Sequence, residues 1–227
     1  MFHLPIAGFE PLSLNNFTGR AACTVFTSGC NLRCRYCHNR HLVLETEPLL
    51  SSDELIDKLS KSAVKNISIT GGEPLMHRGL KDFLIFLREY GFTIKLDTNG
   101  TYPKRLSDII DEGLIDYIAI DIKGFDNDDF KYITRSGFDL RTLKETIGLV
   151  KKSNIDFELR YTVWKVPSEE SVRYFFDEMD LESLDIIYLQ RYTNNCLDKT
   201  FIPELNDESL TKTEKILKKY VSAFVRN

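Results

Sequence analysis

Gly29-Cys30-Asn31-Leu32-Arg33-Cys34-Arg35-Tyr36-Cys37-His38-Asn39 places three of the chain's five cysteines within eight positions. Three readings compete for this stretch. Cysteines at i, i+4 and i+7 would share one helix face, and a free cysteine is often a small buried hydrophobe. However, Asn31, Arg33, Arg35, His38 and Asn39 make a poor apolar setting, and Gly29 suits an irregular turn. Structural zinc takes four ligands, usually as two pairs, and here only His38 lies nearby with no second pair following. Soft thiolates also select iron–sulfur clusters. A four-iron cluster is usually held by four cysteines, so three would leave one iron open to a small-molecule ligand. This third reading is the favoured one.

The rest of the chain bounds the setting. Its 227 residues suit one compact domain, and 42% hydrophobic residues supply an ample core. No apolar run approaches the roughly 20 residues of a membrane span. The start, Met1-Phe2-His3-Leu4-Pro5, lacks the basic region and apolar block of a signal peptide. A net charge of −4 does not suggest a nucleic-acid binder. An odd, clustered set of cysteines fits a reducing cytoplasm better than a disulfide framework.

Residues 2–20 read as irregular or short extended structure, punctuated by Pro5, Gly8, Pro11 and Gly19. Ala21–Thr27 is the first convincing strand and leads into the cysteine loop. Further strands are expected at Asn66–Thr70, Phe92–Asp97, Asp116–Ile122, Asp156–Trp164 and Asp185–Leu189. Helices are expected from Ser51, through Leu80–Leu87, over Pro103–Glu112, through Leu143–Val150, from Ser168, and over Glu208–Val225. A polar connection, Asp126–Gly137, precedes the fourth of these. Strands alternating with helices imply an α/β fold of parallel strands joined by right-handed crossovers. Active sites in such folds lie at the carboxyl ends of the strands. The suspicious residues recur there: the cysteine loop, Gly71-Gly72-Glu73-Pro74, Asp97-Thr98-Asn99-Gly100, Asp121-Ile122-Lys123-Gly124, Arg160 and Gln190-Arg191-Tyr192. Backbone N–H groups at Gly71-Gly72, carboxylates at Glu73, Asp97 and Asp121, and cations at Lys123 and Arg160 suit a small zwitterion with ribose hydroxyls. No P-loop or dinucleotide fingerprint argues for a polyphosphate.

Cys30, Cys34 and Cys37 in CNLRCRYC resemble the cluster motif of radical S-adenosylmethionine (SAM) enzymes, and Ile69-Thr70-Gly71-Gly72-Glu73-Pro74 resembles their GGEP segment. His38-Asn39, the DTNG at residues 97–100 and the DIK at residues 121–123 resemble the glycyl-radical activating enzymes, of which pyruvate formate-lyase activating enzyme is the best-known. The pattern from Gly8-Phe9 to Gly29-Cys30 is similar to anaerobic ribonucleoside-triphosphate reductase activating proteins. The resemblance covers most of residues 8–200. It implies a partial (β/α)6 TIM-like barrel over residues 21–200, within a single radical SAM domain 1–227 that adds an N-terminal extension (1–20) and a C-terminal helix (201–227). It implies a [4Fe–4S] cluster on Cys30, Cys34 and Cys37, with SAM on the fourth iron. Gly71, Gly72 and Glu73 would contact the methionine amino group, while Asp97, Asp121 and Lys123 would hold its other polar groups. A monovalent cation would sit near the two aspartates. Tyr36 would lie beside the adenine through its backbone, and Arg160 would hold the carboxylate or ribose. The best-known relative has a histidine where this chain reads Leu189-Gln190-Arg191-Tyr192.

The implied reaction is that of an anaerobic, oxygen-sensitive oxidoreductase. Reductive cleavage of SAM gives a 5′-deoxyadenosyl radical that takes a glycine α-hydrogen from a partner glycyl-radical enzyme. By resemblance the partner is an anaerobic ribonucleotide reductase and the electron donor a flavodoxin or ferredoxin. A small-molecule reaction like that of 7-carboxy-7-deazaguanine synthase is the alternative. A non-catalytic metal-stabilised binding module is the third reading. Cys23 reads as core and Cys196 as a loop thiol; His3, His41 and His77 read as surface residues, and the lysines of the last helix as a solvated face.

Overall fold

The computed structural model describes residues 2–44, 49–193 and 197–226. Its strands and helices largely alternate along the chain. Two compact units are built from them, one comprising the chain up to Asn31 with Asn39–Thr98 and Lys104–Ala119, the other Leu32–His38, Asn99–Pro103 and the chain from Ile120. Cys30 thus belongs to the first unit, and Cys34 and Cys37 to the second. No helix among the described residues is long and apolar enough to cross a membrane.

In the first unit β1 (Ile6–Phe17) and β2 (Arg20–Thr27) pair antiparallel. The expectation of irregular or short extended structure over residues 2–20 thus becomes a strand of 12 residues. The register shifts between Glu10 and Ser13, where Pro11 lies. Pro11 lacks an N–H to give to a ladder, and bulges are among the few places where a strand accepts one. A short helix α1 (Arg40–Leu44) follows the cysteine loop, then α2 (Ser52–Ser60). A reciprocal capping box between Ser51 and Glu54 starts α2. β3 (Asn66–Gly71), a 3₁₀ turn (Pro74–Met76), α3 (Leu80–Glu89), β4 (Thr93–Thr98) and α4 (Pro103–Asp111) complete this unit with the start of β5 (Tyr117–Ile122). β2, β3 and β4 pair parallel. On one face of these strands Cys23, Val25, Ile67, Ile69, Ile94 and Leu96 are fully buried. α3 buries Leu80, Phe83, Leu84 and Leu87, each worth roughly 1.5–3 kcal/mol on removal from water. The other strand face differs. Glu10, Thr24, Ser68 and Lys95 stand opposite one another across four strands, and the last three are fully buried. A polar row thus occupies a position that apolar residues usually fill.

The second unit continues with α5 (Asn127–Thr134), α6 (Leu140–Lys152), β6 (Asp156–Val163), α7 (Glu169–Met179), β7 (Ile186–Arg191), α8 (Ser209–Leu217) and β8 (Ser222–Arg226). α5 occupies the stretch read as a polar connection, started by Asp126, whose carboxylate accepts from Asp129 N–H. The last helix ends at Leu217, not Val225, and the chain then pairs parallel with β7 as β8. Phe125 packs against Tyr161 (4.8 Å between ring centroids) and Phe175 (5.3 Å) in this unit's aromatic core. In α8, Lys212 pairs with Glu208, and Lys218 beyond it with Glu214, which fits a solvated face.

Candidate functional site

Many of the candidate residues lie at or just past strand ends in both units, while Arg160 lies within β6 and Tyr36 in the cysteine loop. In the first unit, Gly29 turns at φ +84 into Cys30. Gly72 N–H donates to Thr27 O (2.9 Å) and Glu73 N–H to Gly29 O (2.9 Å). The sequence reading offers the backbone N–H groups of Gly71-Gly72 to a ligand; Gly72's is instead spent on the end of β2. A Cβ at Gly71 would lie 2.3 Å from Thr27 O, and one at Gly72 would lie 1.8 Å from Gly29 O. Backbone proximity therefore dictates both glycines. Glu73 is fully buried, and its Oε1 accepts from Leu75 N–H (3.1 Å) and the Thr98 hydroxyl (2.9 Å). Arg105 Nη1 holds the carbonyls of Leu75 (2.7 Å) and Met76 (2.5 Å), fixing the turn after Glu73.

Asp97 pairs with Lys95, Oδ1 to Nζ, at 2.9 Å. The Lys95 ammonium also donates to Asn16 O (2.8 Å), and the Asn16 amide donates to Glu10 Oε2 (3.2 Å) and Thr24 Oγ1 (3.0 Å). Sequence reasoning missed Lys95. The available signal was its place two residues before Asp97 in an apolar strand, which puts both side chains on one face.

In the second unit Cys34 and Cys37 close a turn, Cys37 N–H donating to Cys34 O at 3.0 Å. Arg160 Nε donates to Asp121 Oδ1 (2.7 Å), and Lys123 Nζ lies 3.4 Å from Asp121 Oδ2. Burial works against ionisation of Asp121, but Arg160 and Lys123 outweigh it and hold the carboxyl down at about 2. Burial also opposes the Lys123 charge; Asp121 wins, aided by Tyr36, Cys34 and Cys37, and keeps the ammonium firmly protonated. That ammonium sits 5.8 Å above the Tyr36 ring. Burial raises the Tyr36 phenol pKa against the pull of Lys123, and its buried Oη has no hydrogen-bond partner among the described residues. Burial, then Lys123, lowers the His38 imidazole.

The other residues singled out earlier divide. Cys23 is buried in β2, and desolvation pushes its thiol up to about 11. Cys196 lies outside the described residues. His3 and His41 are exposed, but His77 is half-buried, which corrects its surface reading. Gln190 accepts from the Thr162 hydroxyl at 3.4 Å, Arg191 is exposed, and the Tyr192 ring packs on Phe201 at 6.0 Å.

The donor chemistry fits an iron–sulfur cluster. Cys34 and Cys37 lie on one turn outside any disulfide, with a protonated Lys123 whose charge favours their thiolate forms. Among the described residues no three His, Cys, Asp or Glu side chains gather as ligands of one metal ion. A cluster does not need such a group, because its thiolates bind separate irons.

The Radical SAM superfamily pattern matches residues 24–179. The chain belongs to the radical SAM superfamily of enzymes, whose members use SAM and a [4Fe–4S] cluster. It is 31% identical, over 97% of its own length and 94% of the relative's, to a Methanocaldococcus jannaschii protein named as a glycyl-radical enzyme activating enzyme. It is also 40% identical to an Aquifex aeolicus 7-carboxy-7-deazaguanine synthase, but over only 32% of this chain and 33% of the synthase. Among solved structures, Streptococcus suis SuiB bound to S-adenosylmethionine superposes with a TM-score of 0.65 at 15% identity, covering 87% of this chain. This chain spans about half (48%) of SuiB, and the likeness shows a shared fold.

Proposed function

We propose that the chain is a glycyl-radical enzyme activase. The observation that carries this reading is the extent of likeness: it runs the length of the activating-enzyme relative and covers only a third of the synthase. When bound, a cluster reduced by one electron would supply the chemistry of reductive SAM cleavage, which the family uses for hydrogen abstraction. The chain's own residues bind and orient. Cys30, Cys34 and Cys37 hold three irons as thiolates, with Lys123 favouring that ionisation at Cys34 and Cys37. Backbone carbonyls of Gly71 and Gly72 and the Glu73 carboxylate are acceptors suited to the methionine ammonium. Asp97 and Asp121 are acceptors for its other donor groups. Lys123 and Arg160 suit its carboxylate or a ribose oxygen, and the Tyr36 backbone suits the adenine edge.

Both aspartates already hold cationic partners, Lys95 at one and Arg160 with Lys123 at the other. The reading therefore takes these as their counter-charges in place of a monovalent cation. Potassium-dependent SAM binding would reverse that choice. The match over residues 24–179 draws on both compact units and supports treating residues 1–227 as one radical SAM domain. Four described cysteines outside any disulfide suit a reducing cytoplasm.

The partner follows from the activating-enzyme likeness and the N-terminal sequence pattern: a glycyl-radical enzyme, in our reading an anaerobic ribonucleoside-triphosphate reductase, with a flavodoxin or ferredoxin as electron donor. The test is anaerobic reconstitution with iron and sulfide, reduction, and addition of SAM. 5′-Deoxyadenosine should form, and electron paramagnetic resonance (EPR) should show a glycyl radical on the partner. An intact cluster without 5′-deoxyadenosine sinks the catalytic reading. Turnover only with a small metabolite sinks the activase reading in favour of the synthase-like one.

A further inference from the structure

Asp198 is 8% exposed and lies beyond the residues of the superfamily pattern. Its Oδ2 accepts from Arg35 Nη1 at 2.8 Å and from Arg135 Nη2. Its Oδ1 accepts from the Thr200 N–H (3.0 Å) and hydroxyl (2.6 Å). Arg35 lies between Cys34 and Cys37 in sequence and is held at its backbone N–H and carbonyl and at the Nε and Nη1 of its guanidinium. Its N–H donates to Ile133 O (2.9 Å), its carbonyl accepts from Asp198 N–H (3.1 Å), and its Nε donates to Tyr132 O (2.9 Å). Its guanidinium lies 4.6 Å from the centroid of the Tyr132 ring. On either side, Arg33 N–H donates to Thr134 O (3.1 Å) and Cys37 O accepts from Leu197 N–H (2.6 Å).

Residues 32–38 contain no helix or strand, so little in their own backbone fixes where Cys34 and Cys37 stand. Residues 132–135 and 197–200 do so from both sides, and Arg35 and Asp198 join the two. Charge-assisted, multiply bonded pairs are the kind that hold geometry.

We propose that Asp198, acting through Arg35, is a positioning residue for the cluster ligands Cys34 and Cys37. This rests on the cluster reading above. A cluster is retained when all its thiolates are presented together, and a loop free to wander presents them in turn.

The test uses the reconstituted full chain under anaerobic conditions. Asp198→Ala should bleach about tenfold faster than wild type under a ferrous chelator, the factor that one charge-assisted hydrogen bond supports. Its reduced-cluster EPR lines should broaden, while the thermal midpoint of the cluster-free protein stays close to wild type. Asp198→Glu should restore much of the lifetime. An unchanged lifetime in Asp198→Ala overturns the proposal. So does a loss matched by Ile187→Val, a buried change in the same unit that lowers stability alone. Cys34→Ala and Cys37→Ala separate the two layers of argument. If either keeps a full complement of iron, the ligand reading itself fails, whatever Asp198 does.

Discussion

Gly72 and Gly91 look alike in a sequence and differ completely in what they permit. A Cβ at Gly72 meets Gly29 O at 1.8 Å, whereas Gly91, at φ +74, has nothing within 4 Å. Gly72→Ala should therefore cost about 3 kcal/mol or more through forced backbone movement, and Gly91→Ala only about 1 kcal/mol of left-handed strain. Urea denaturation of both variants measures the contrast. Lys95 makes a second contrast. Removing its ammonium from the buried Asp97 carboxylate, as in Lys95→Met, should cost about 3–5 kcal/mol, and adding Asp97→Asn should recover part of that loss. A double variant no more stable than the single would deny the coupling. Asp121 gives a pH test. Its folded value of about 2 lies below the ordinary 3.8, so its pairing stabilises the fold above about pH 4 and is lost as pH falls toward 2. Its side chain is 31% exposed, so solvent screening reduces the effect. Wild type should lose stability across this window more steeply than Asp121→Asn; parallel slopes would count against the pairing. The candidate residues at strand ends were legible because parallel α/β folds put chemistry there. Asp198 was not, because its meaning lies in a partner 163 residues away, and Lys95 offered only its place two residues before Asp97.

At the scale of elements, capping and periodicity were readable where local chemistry decides. Ser51 and Ser168 cap α2 and α7 through their side chains as read, whereas Asp126 and Asp139 cap α5 and α6 at starts that the sequence reading did not mark. β1 and β8 were hidden because each is defined by a neighbour. Residues 6–17 carry a proline and no clean alternation, yet pair with β2. Ile216, Leu217, Tyr220, Val221 and Phe224 have helical spacing, yet the ladder to β7 captures the last of them. β8 also brings Arg226 to the fully buried Glu158 at 3.1 Å. α6 shows how an element serves the site. Its Thr146 hydroxyl donates to Gly100 O at 2.7 Å and fixes the turn after Thr98-Asn99. Thr146→Val keeps the shape and removes that hydrogen bond, which should cost about 1 kcal/mol by thermal denaturation and weaken SAM binding in equilibrium dialysis. Normal affinity in a destabilised variant would separate the turn from the ligand.

For the molecule as a whole, thiol chemistry divides the described cysteines by environment. Cys23, with its thiol near 11, should resist iodoacetamide in the folded protein at pH 8, and Cys23→Ala should keep the cluster. Rapid alkylation of Cys23, or a lost cluster in the variant, would place it wrongly. The Leu197–Cys37 and Asp198–Arg35 hydrogen bonds also bear on how the protein is made. The cysteines leave the ribosome early, while the segment that fastens them is synthesised some 160 residues later. At about 5–20 residues per second, that is a delay of roughly 10–30 seconds. During translation the thiols are thus present without their fixed arrangement, open to oxidation or to stray metal. A cluster delivered after residues 197–200 have emerged would meet the thiols in their fixed arrangement.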